Sequence, residues 1–239
     1  MIDFKKRSND KEILDRENIP FQDIAQNMKE LEWINRHLGG HSISIIGFEE
    51  LWQKWRRQKA SSNKSISVCE IGCGGGDNLK AINNYCVKRN IHARFIGIDI
   101  NKNCIEFARK NTSDKDFDYI TNDYKKVIFE NKPNIIFSSL FCHHFSEEDL
   151  VQMMQWMKEN STIGFFINDL HRHSIAYHFI KTTTSIFSKS YLVKNDAPLS
   201  VLRGFRKKEW NQIFAKAGIK NFSLKWKWAF RHLIVVPNI

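Results

Sequence analysis

A glycine-rich turn near residue 70 is the part of this sequence with the clearest chemical meaning. Residues from Glu70 to Asp77 read E-x-G-x-G-x-G-D, and they follow a run of mostly apolar and β-branched residues, 65–71. This pattern predicts a β-strand ending in a turn whose glycines let the backbone pass close to a ligand. A helix is predicted to begin near Asn78, so its N-terminal amides face the same ligand. Dinucleotide sites use G-x-G-x-x-G, which would require glycine at Asp77, so a different nucleotide-type cofactor is indicated.

Two further acids stand at the ends of predicted strands. Residues 93–100 form an apolar stretch with Asp99 near its carboxyl end, and residues 117–120 form another stretch that is followed by Asp123. In α/β nucleotide sites, a carboxylate about 20 residues beyond the glycine turn accepts hydrogen bonds from the ribose hydroxyls. The sequence therefore predicts that Asp99 binds a ribose.

Glu70, the alternating glycines, Asp99 and Asp123, in this order, resemble the motifs of the class I S-adenosylmethionine-dependent methyltransferases. The resemblance implies an α/β fold with a Rossmann-like sheet of seven strands, mostly parallel with the last strand antiparallel, flanked by helices. It implies S-adenosylmethionine (SAM) as the cofactor and S-adenosylhomocysteine as the product. The cofactor-binding residues that it implies are Glu70, Gly72, Cys73, Gly74, Asp99, Ile100, Asp123, Tyr124, Ser139 and His144.

Polar residues follow the predicted fourth and fifth strands, at 134–140 and 162–167. Methyl transfer from a sulfonium is an in-line displacement, in which the enzyme aligns the acceptor and helps to remove its proton. Histidine, with an unperturbed pKa of about 6.5, suits proton removal at neutral pH. We predict that His143 or His171 is this base.

The neighbours of these histidines receive supporting roles. Asp169 is predicted to orient a histidine or to bind substrate, and Arg172 to hold an acidic group of the substrate. His144 is expected to pack beside the cofactor.

The elements that must position these residues are predicted from hydrophobic spacing. Residues 20–38 and 41–58 are predicted helices on either side of a Gly-Gly pair. We expect residues 1–62 to form an N-terminal helical extension, either a lid or a packing element, and residues 63–239 to form the methyltransferase domain. Residues 196–200 predict a loop before a helix at 207–217, and residues 220–236 predict a hairpin.

Composition limits the class of protein. The chain has 239 residues, enough for one α/β domain, and it shows no run of about 18 apolar residues and no signal peptide. We therefore expect a cytoplasmic protein without a membrane span. Its five cysteines include no C-x-x-C pair, which favours free thiols and predicts no metal site.

The formal net charge of +11 is also typical of enzymes that act on nucleic acids. The basic residues are scattered along the chain, however. Residues 138–141 read S-S-L-F and lack the D/N-P-P-Y/F turn of enzymes that methylate exocyclic base nitrogens. Cys142 follows phenylalanine, whereas the nucleophile of C5-methylpyrimidine enzymes follows proline. RNA methylation is therefore kept only as an alternative.

The segment 168–173, N-D-L-H-R-H, resembles that of bacterial small-molecule methyltransferases of the quinone-biosynthesis type. Some of these accompany polyketide or aryl-polyene pathways, which implies a hydroxyl of an aromatic, quinol or polyketide-like compound as the acceptor. A second alternative is a SAM-binding module without catalysis. A monomer and a homodimer are equally compatible with the sequence.

Overall fold

The structure, a computed structural model, describes residues 2–16, 18–58, 65–112 and 114–238. Its centre is a seven-stranded sheet with the order β3-β2-β1-β4-β5-β7-β6. The strands are β1 (Ile66–Ile71), β2 (Ala93–Asp99), β3 (Phe117–Thr121), β4 (Ile135–Ser139), β5 (Gly164–Leu170), β6 (Ser223–Lys227) and β7 (Arg231–Pro237). All are parallel except β7, which pairs antiparallel with both β5 and β6. The predicted fold class and terminal hairpin are confirmed.

Helices cover both faces of this sheet. They are α1 (Phe21–His37), α2 (Gly40–Gln58), α3 (Asp77–Lys88), α4 (Lys102–Lys110), α5 (Glu147–Asn160), α6 (Ser174–Phe187), α7 (Tyr191–Arg203) and α8 (Lys207–Lys216). Alternate residues of each central strand enter opposite cores, because successive side chains of a strand point to opposite faces. Val68 and Phe137 pack with α2 and α3 residues, whereas Cys69 and Ile136 pack with α5 and α8 residues.

The carboxyl ends of the central strands meet at one edge of the sheet. β1 lies between β2 and β4, with Glu70 in register with both Gly97 and Phe137. The chain therefore leaves β1 toward one side of the sheet and returns on the other side, to β4. In open α/β sheets, ligands bind outside the carboxyl ends of the strands at such a switch point.

The N-terminal helices are both found, and they pack differently. α2 belongs to the main core, where its fully buried Phe48 and Leu51 pack with strand residues. α1 packs on α4 through Ile24 and Met28. A lid role for this region stays a prediction, and the predicted domain boundary at residue 62 lies outside the described residues.

The predicted loop at residues 196–200 is wrong, because α7 runs through it with Pro198 inside the helix. Contacts from the N-terminal segment hold this helix. The carboxylate of Asp196 accepts hydrogen bonds from the amides of Ile13 and Leu14, and the Ser200 hydroxyl donates to Glu12. These tertiary bonds offset the local penalty of a proline that lacks an N–H donor.

β5 also extends beyond its predicted end. It reaches Leu170 because its pairing with β7 continues to Leu170 opposite Arg231. Asn168 and Asp169 are therefore residues of the strand, not of the loop that follows it.

Candidate active site

The glycine turn has the backbone conformation that the sequence predicted. Gly72, Gly74 and Gly76 have φ values of +67°, +50° and +74°, in the left-handed region that side chains disfavour. The amides of Gly72 and Cys73 donate to the carbonyl of Ile98, at 2.8 and 3.1 Å. The turn is thus fixed to the end of β2.

Asp99 connects β2 to this turn. Its Oδ2 accepts a hydrogen bond from the Gly74 amide at 2.9 Å, and its Oδ1 accepts one from the Asn101 amide at 2.8 Å. Burial raises the pKa of Asp99, and these backbone bonds oppose the rise. A carboxylate has about four acceptor positions, so two remain for a pair of ribose hydroxyls.

Glu70 is a buried acid whose Oε2 has no hydrogen-bond partner among the described residues. Burial, with repulsion from Asp77 and Asp99, raises its pKa well above the ordinary value. Buried polar atoms normally have partners. A ligand ammonium or hydroxyl held in the glycine turn would supply one, so the residues present fit a SAM-type cofactor.

The other predicted cofactor residues lie around the same edge. Ile100, directly after Asp99, is 75% exposed, which suits an apolar contact with a ligand ring. Asp123 caps the short turn Tyr124–Lys126 by accepting from the Lys125 amide. Tyr124 itself is buried. The Ser139 hydroxyl accepts a hydrogen bond from Asn168.

Two apolar side chains cover the glycine turn. The Phe141 ring occupies the space that a Cβ on Gly72 would enter, and the Met28 sulfur lies 3.3 Å from the Cβ position of Gly74. Leu140, which precedes this ring, has a φ of +52°, an uncommon value for a residue with a side chain. Both side chains therefore lie against the turn where the resemblance implies that the cofactor binds.

Asp169 and His143, both predicted catalytic residues, are brought together. His143 Nδ1 lies 2.8 Å from Asp169 Oδ1, and Asp169 Oδ2 accepts from the amides of Phe141 and Cys142. The other ring nitrogen of His143, Nε2, lies 3.5 Å from Glu12 Oε1. Burial lowers the pKa of His143, but the two carboxylates outweigh this effect and raise it to about 9.

His144 lies beside this pair. Its Nδ1 is 2.9 Å from Asp15 Oδ1, and its Nε2 is 3.7 Å from Glu12 Oε2. Its ring centroid is 4.5 Å from that of His143 and 6.3 Å from that of Phe141, the residue that covers the glycine turn.

His171 has other neighbours. Its ring lies 4.8 Å from that of His232 and 5.8 Å from that of His173, centroid to centroid. Burial, with repulsion from His173 and nearby arginines, lowers its pKa. The two predicted bases therefore differ in charge, since His143 favours the protonated ring and His171 the neutral one.

Arg172 binds groups of the protein itself. It is 1% exposed, and its guanidinium donates to the backbone carbonyls of Phe4, Lys5 and Gly204 and to the carboxylate of Glu209. All three of its nitrogens have protein acceptors. In this arrangement Arg172 holds the N-terminal segment and α8, and it offers no unpaired nitrogen to a substrate acid.

Sequence reasoning missed the acids of the N-terminal segment. Asp15 and His144 are 129 residues apart, and Glu12 and Ser200 are 188 residues apart. No local spacing connects residues so distant. A second missed group is the hydrogen-bonded set of Asn35, His41 and Asp77 at the start of α3.

This fold, the glycine turn and the acid at the end of β2 are those expected from the resemblance to the class I methyltransferases. Residues 68–161 match a protein family described as methyltransferase domain. This part of the chain is thus similar to a methyltransferase domain, which agrees with the enzyme class predicted from the sequence, a SAM-dependent methyltransferase. A search of curated proteins found no match.

Solved structures of similar fold include several methyltransferases. The plantazolicin methyltransferase BpumL in complex with SAH is 15% identical, with a TM-score of 0.59 over 92% of this chain and 95% of that chain. Human N-acetylserotonin methyltransferase in complex with SAM is 11% identical, with a TM-score of 0.64 over 91% of this chain and 56% of that chain. An O-methyltransferase from Nostoc punctiforme is 18% identical, with a TM-score of 0.52 over 72% of this chain and 51% of that chain. The chain thus spans about half the length of the Nostoc and human proteins.

No helix among the described residues is both long and apolar enough to cross a membrane.

Proposed function

We propose that this enzyme transfers a methyl group from SAM to a hydroxyl of a small aromatic, quinol or polyketide-like molecule. The observation that carries the proposal is the buried Asp169–His143 pair next to the covered glycine turn. Phe141 connects the two parts, because its amide donates to Asp169 while its ring lies against Gly72. Groups able to handle a proton therefore lie beside the position where the cofactor would bind.

The chain's own residues account for cofactor recognition. Asp99 has acceptor positions for two ribose hydroxyls, and Glu70 has an unpartnered buried oxygen for an ammonium. Ile100 offers an exposed apolar side chain and Asp123 a carboxylate for the base. The bound cofactor would supply an electrophilic methyl group on a sulfonium.

Proton removal is assigned to His143 or His171. Asp169 fixes the His143 ring through Nδ1, so a hydroxyl would approach Nε2, on the side where Glu12 now lies. His143 can accept a proton only after it has lost its own, and this requires Glu12 to move or to be neutralised. His171 is the neutral alternative, since its pKa is already lowered. A substrate role for Arg172 would require it to release Glu209.

One observation favours the second candidate, a SAM-binding module without catalysis. Phe141, Met28 and the N-terminal segment together cover the edge of the sheet where an acceptor would enter. If these contacts persist with the cofactor bound, an acceptor has no route to the methyl group.

The two candidates are separated by two measurements on the full chain. Calorimetry with SAM tests binding, and a screen of phenolic and quinol acceptors with methyl-labelled SAM tests transfer. SAM binding with labelled product supports the proposal. Tight SAM binding with no product from any acceptor of this class, in the presence of divalent ions, supports the binding module instead.

A further inference from the structure

We propose that Glu12, His143 and His144 bind a divalent transition-metal ion beside the cofactor turn. One ligand atom from each residue lies within 4.8 Å of the other two. The two imidazole Nε2 atoms face opposite oxygens of the same carboxylate, at 3.5 Å for His143 and 3.7 Å for His144. Metal–ligand bonds of about 2.0–2.2 Å place tetrahedral ligand atoms roughly 3.3 Å apart, so these atoms would have to approach one another by up to about 1.5 Å to bind an ion.

The remaining ring nitrogens are arranged as in metal sites. His143 Nδ1 lies 2.8 Å from Asp169, and His144 Nδ1 lies 2.9 Å from Asp15. A histidine that binds a metal usually donates its other N–H to a carboxylate, which fixes the tautomer and orients the ring. Here both histidines have such a carboxylate at Nδ1, so an ion that replaces the proton on His143 Nε2 would meet the Nε2 atoms of both rings beside Glu12.

Charged side chains of both signs surround the cluster. Three carboxylates converge on the two rings, those of Glu12, Asp15 and Asp169. The cations that face them, Arg7 and Arg203, donate to the backbone carbonyl of His143. With neutral histidines the group carries three negative and two positive charges, a net charge of −1, and a bound dication would change it to +1.

The donor set indicates which ions would bind. Two imidazoles and one carboxylate leave at least one coordination position open, and imidazole nitrogen suits zinc and other divalent first-row ions. The cluster is closed on most sides, since Glu12 is 3% and His143 2% exposed, but the His144 side chain is 18% exposed. An open position would therefore face the same side as His144.

A role for the ion in catalysis rests on the proposed function. An acceptor hydroxyl bound at the open position would have its pKa lowered, and it would lose its proton to water before the oxygen attacks the methyl carbon. His143 would then be a ligand, and His171 or solvent would take the proton. The prediction of no metal site was based on the spacing of the cysteines. Glu12 is more than a hundred residues from the two histidines, so no local pattern connects them.

The test is metal binding by the full chain, freed of metal with a chelator, without SAM or acceptor. Zn²⁺ is titrated by calorimetry, and Co²⁺ is titrated by its visible absorption, which reports the ligand geometry. We expect one ion per chain, with binding weakened by about tenfold to a hundredfold in Asp15→Asn, the outer carboxylate. Glu12→Gln and His144→Ala should weaken it further. His92→Ala, which removes an exposed histidine far along the chain, is the matched control and should bind normally.

Circular dichroism of each variant, together with its SAM affinity, shows whether the chain is still folded. Folded Glu12→Gln and His144→Ala variants that bind the ion as the parent does would overturn the site, as would a parent that binds neither Zn²⁺ nor Co²⁺. Failure of the proposed function is measured separately. If the ion binds but no acceptor is methylated, the site is supported and only its catalytic role is lost. If the chain binds no ion and methylates the acceptor fully in the presence of a chelator, the site is overturned and the proposed function stands.

Discussion

At the scale of single residues, one carboxylate joins the glycine turn to the end of β2. Asp99 accepts from Gly74 and Asn101, which leaves its remaining acceptor positions for a ligand. Asp169 has a similar role on the acceptor side, where it binds the His143 ring and three backbone amides. Both acids therefore have a structural role as well as a chemical one, so a substitution of either acid also removes hydrogen bonds that hold the backbone.

Asp99→Ala should weaken SAM binding by about 1.5–3 kcal/mol, the range for hydrogen bonds to a charged group, because the ribose loses its acceptor. Calorimetry measures the change. Asp118→Ala, at an exposed position on β3, is the control and should bind SAM normally. Unchanged affinity in Asp99→Ala would contradict the cofactor assignment.

Replacing the true base by alanine should lower turnover by about a hundredfold to ten-thousandfold and leave SAM affinity nearly unchanged, because a general base acts in the transition state. Steady-state kinetics of His143→Ala and His171→Ala, with calorimetry of each, identify which histidine this is. His143→Ala leaves buried Asp169 without its ring, so His143→Asn, which can still donate a hydrogen bond, accompanies it. If both histidine variants keep activity within a few fold, neither is the base.

At the scale of elements, the N-terminal helices are joined to the cofactor region by a largely buried polar group. His41 Nε2 lies 2.7 Å from Asp77 Oδ2, and Asn35 donates to the same oxygen at 3.1 Å. Asn35 also accepts from Arg231 at the start of β7. These bonds connect α1, α2, α3 and β7, so the extension is part of the fold and not an appendage to it.

His41→Ala should lower the free energy of unfolding by about 1.5–3 kcal/mol, because the largely buried Asp77 would lose its main partner. Burial raises the pKa of Asp77. The hydrogen bonds from His41 and Asn35, together with the positive charge of His41, outweigh this effect and hold the pKa of Asp77 below its ordinary value. A depressed carboxyl pKa stabilises the fold above the unfolded value of about 3.9, and this contribution is lost as the pH falls through the folded value. Urea titrations from pH 7 down to pH 3 should therefore show that the free energy of unfolding falls less steeply with decreasing pH in His41→Ala than in the parent. An equal acid loss in both proteins would show that Asp77 does not depend on His41.

At the scale of the whole molecule, the charge is high but spread out. The formal net charge is +11, and several of the basic residues are already paired, such as Lys225 with Glu50 and Lys216 with Glu147. Arg172 and Arg203 are buried and bind protein groups. The other basic residues form short runs at separate places in the sequence, such as 56–57, 88–89 and 207–208.

Filter binding of single-stranded RNA should therefore be weak and independent of sequence near physiological salt. The affinity should fall only slightly with added salt, because few phosphates are neutralised at once. Binding in the nanomolar range, with a steep dependence on salt concentration, would instead favour the RNA methyltransferase alternative.

The sequence by itself was sufficient to predict the fold class and the strands that carry the candidate cofactor residues. The glycine turn, Asp99 and Asp123 follow their own strands directly, so local patterns were sufficient to place them at one edge of a parallel sheet. The tertiary structure decided the rest. Glu12 and Asp15 reach His143 and His144 only because the N-terminal segment folds across this edge, and α7 continues through Pro198 only because that segment binds Asp196. The physical reason is the same in each case, since contacts between residues more than a hundred positions apart leave no periodicity or spacing in the sequence.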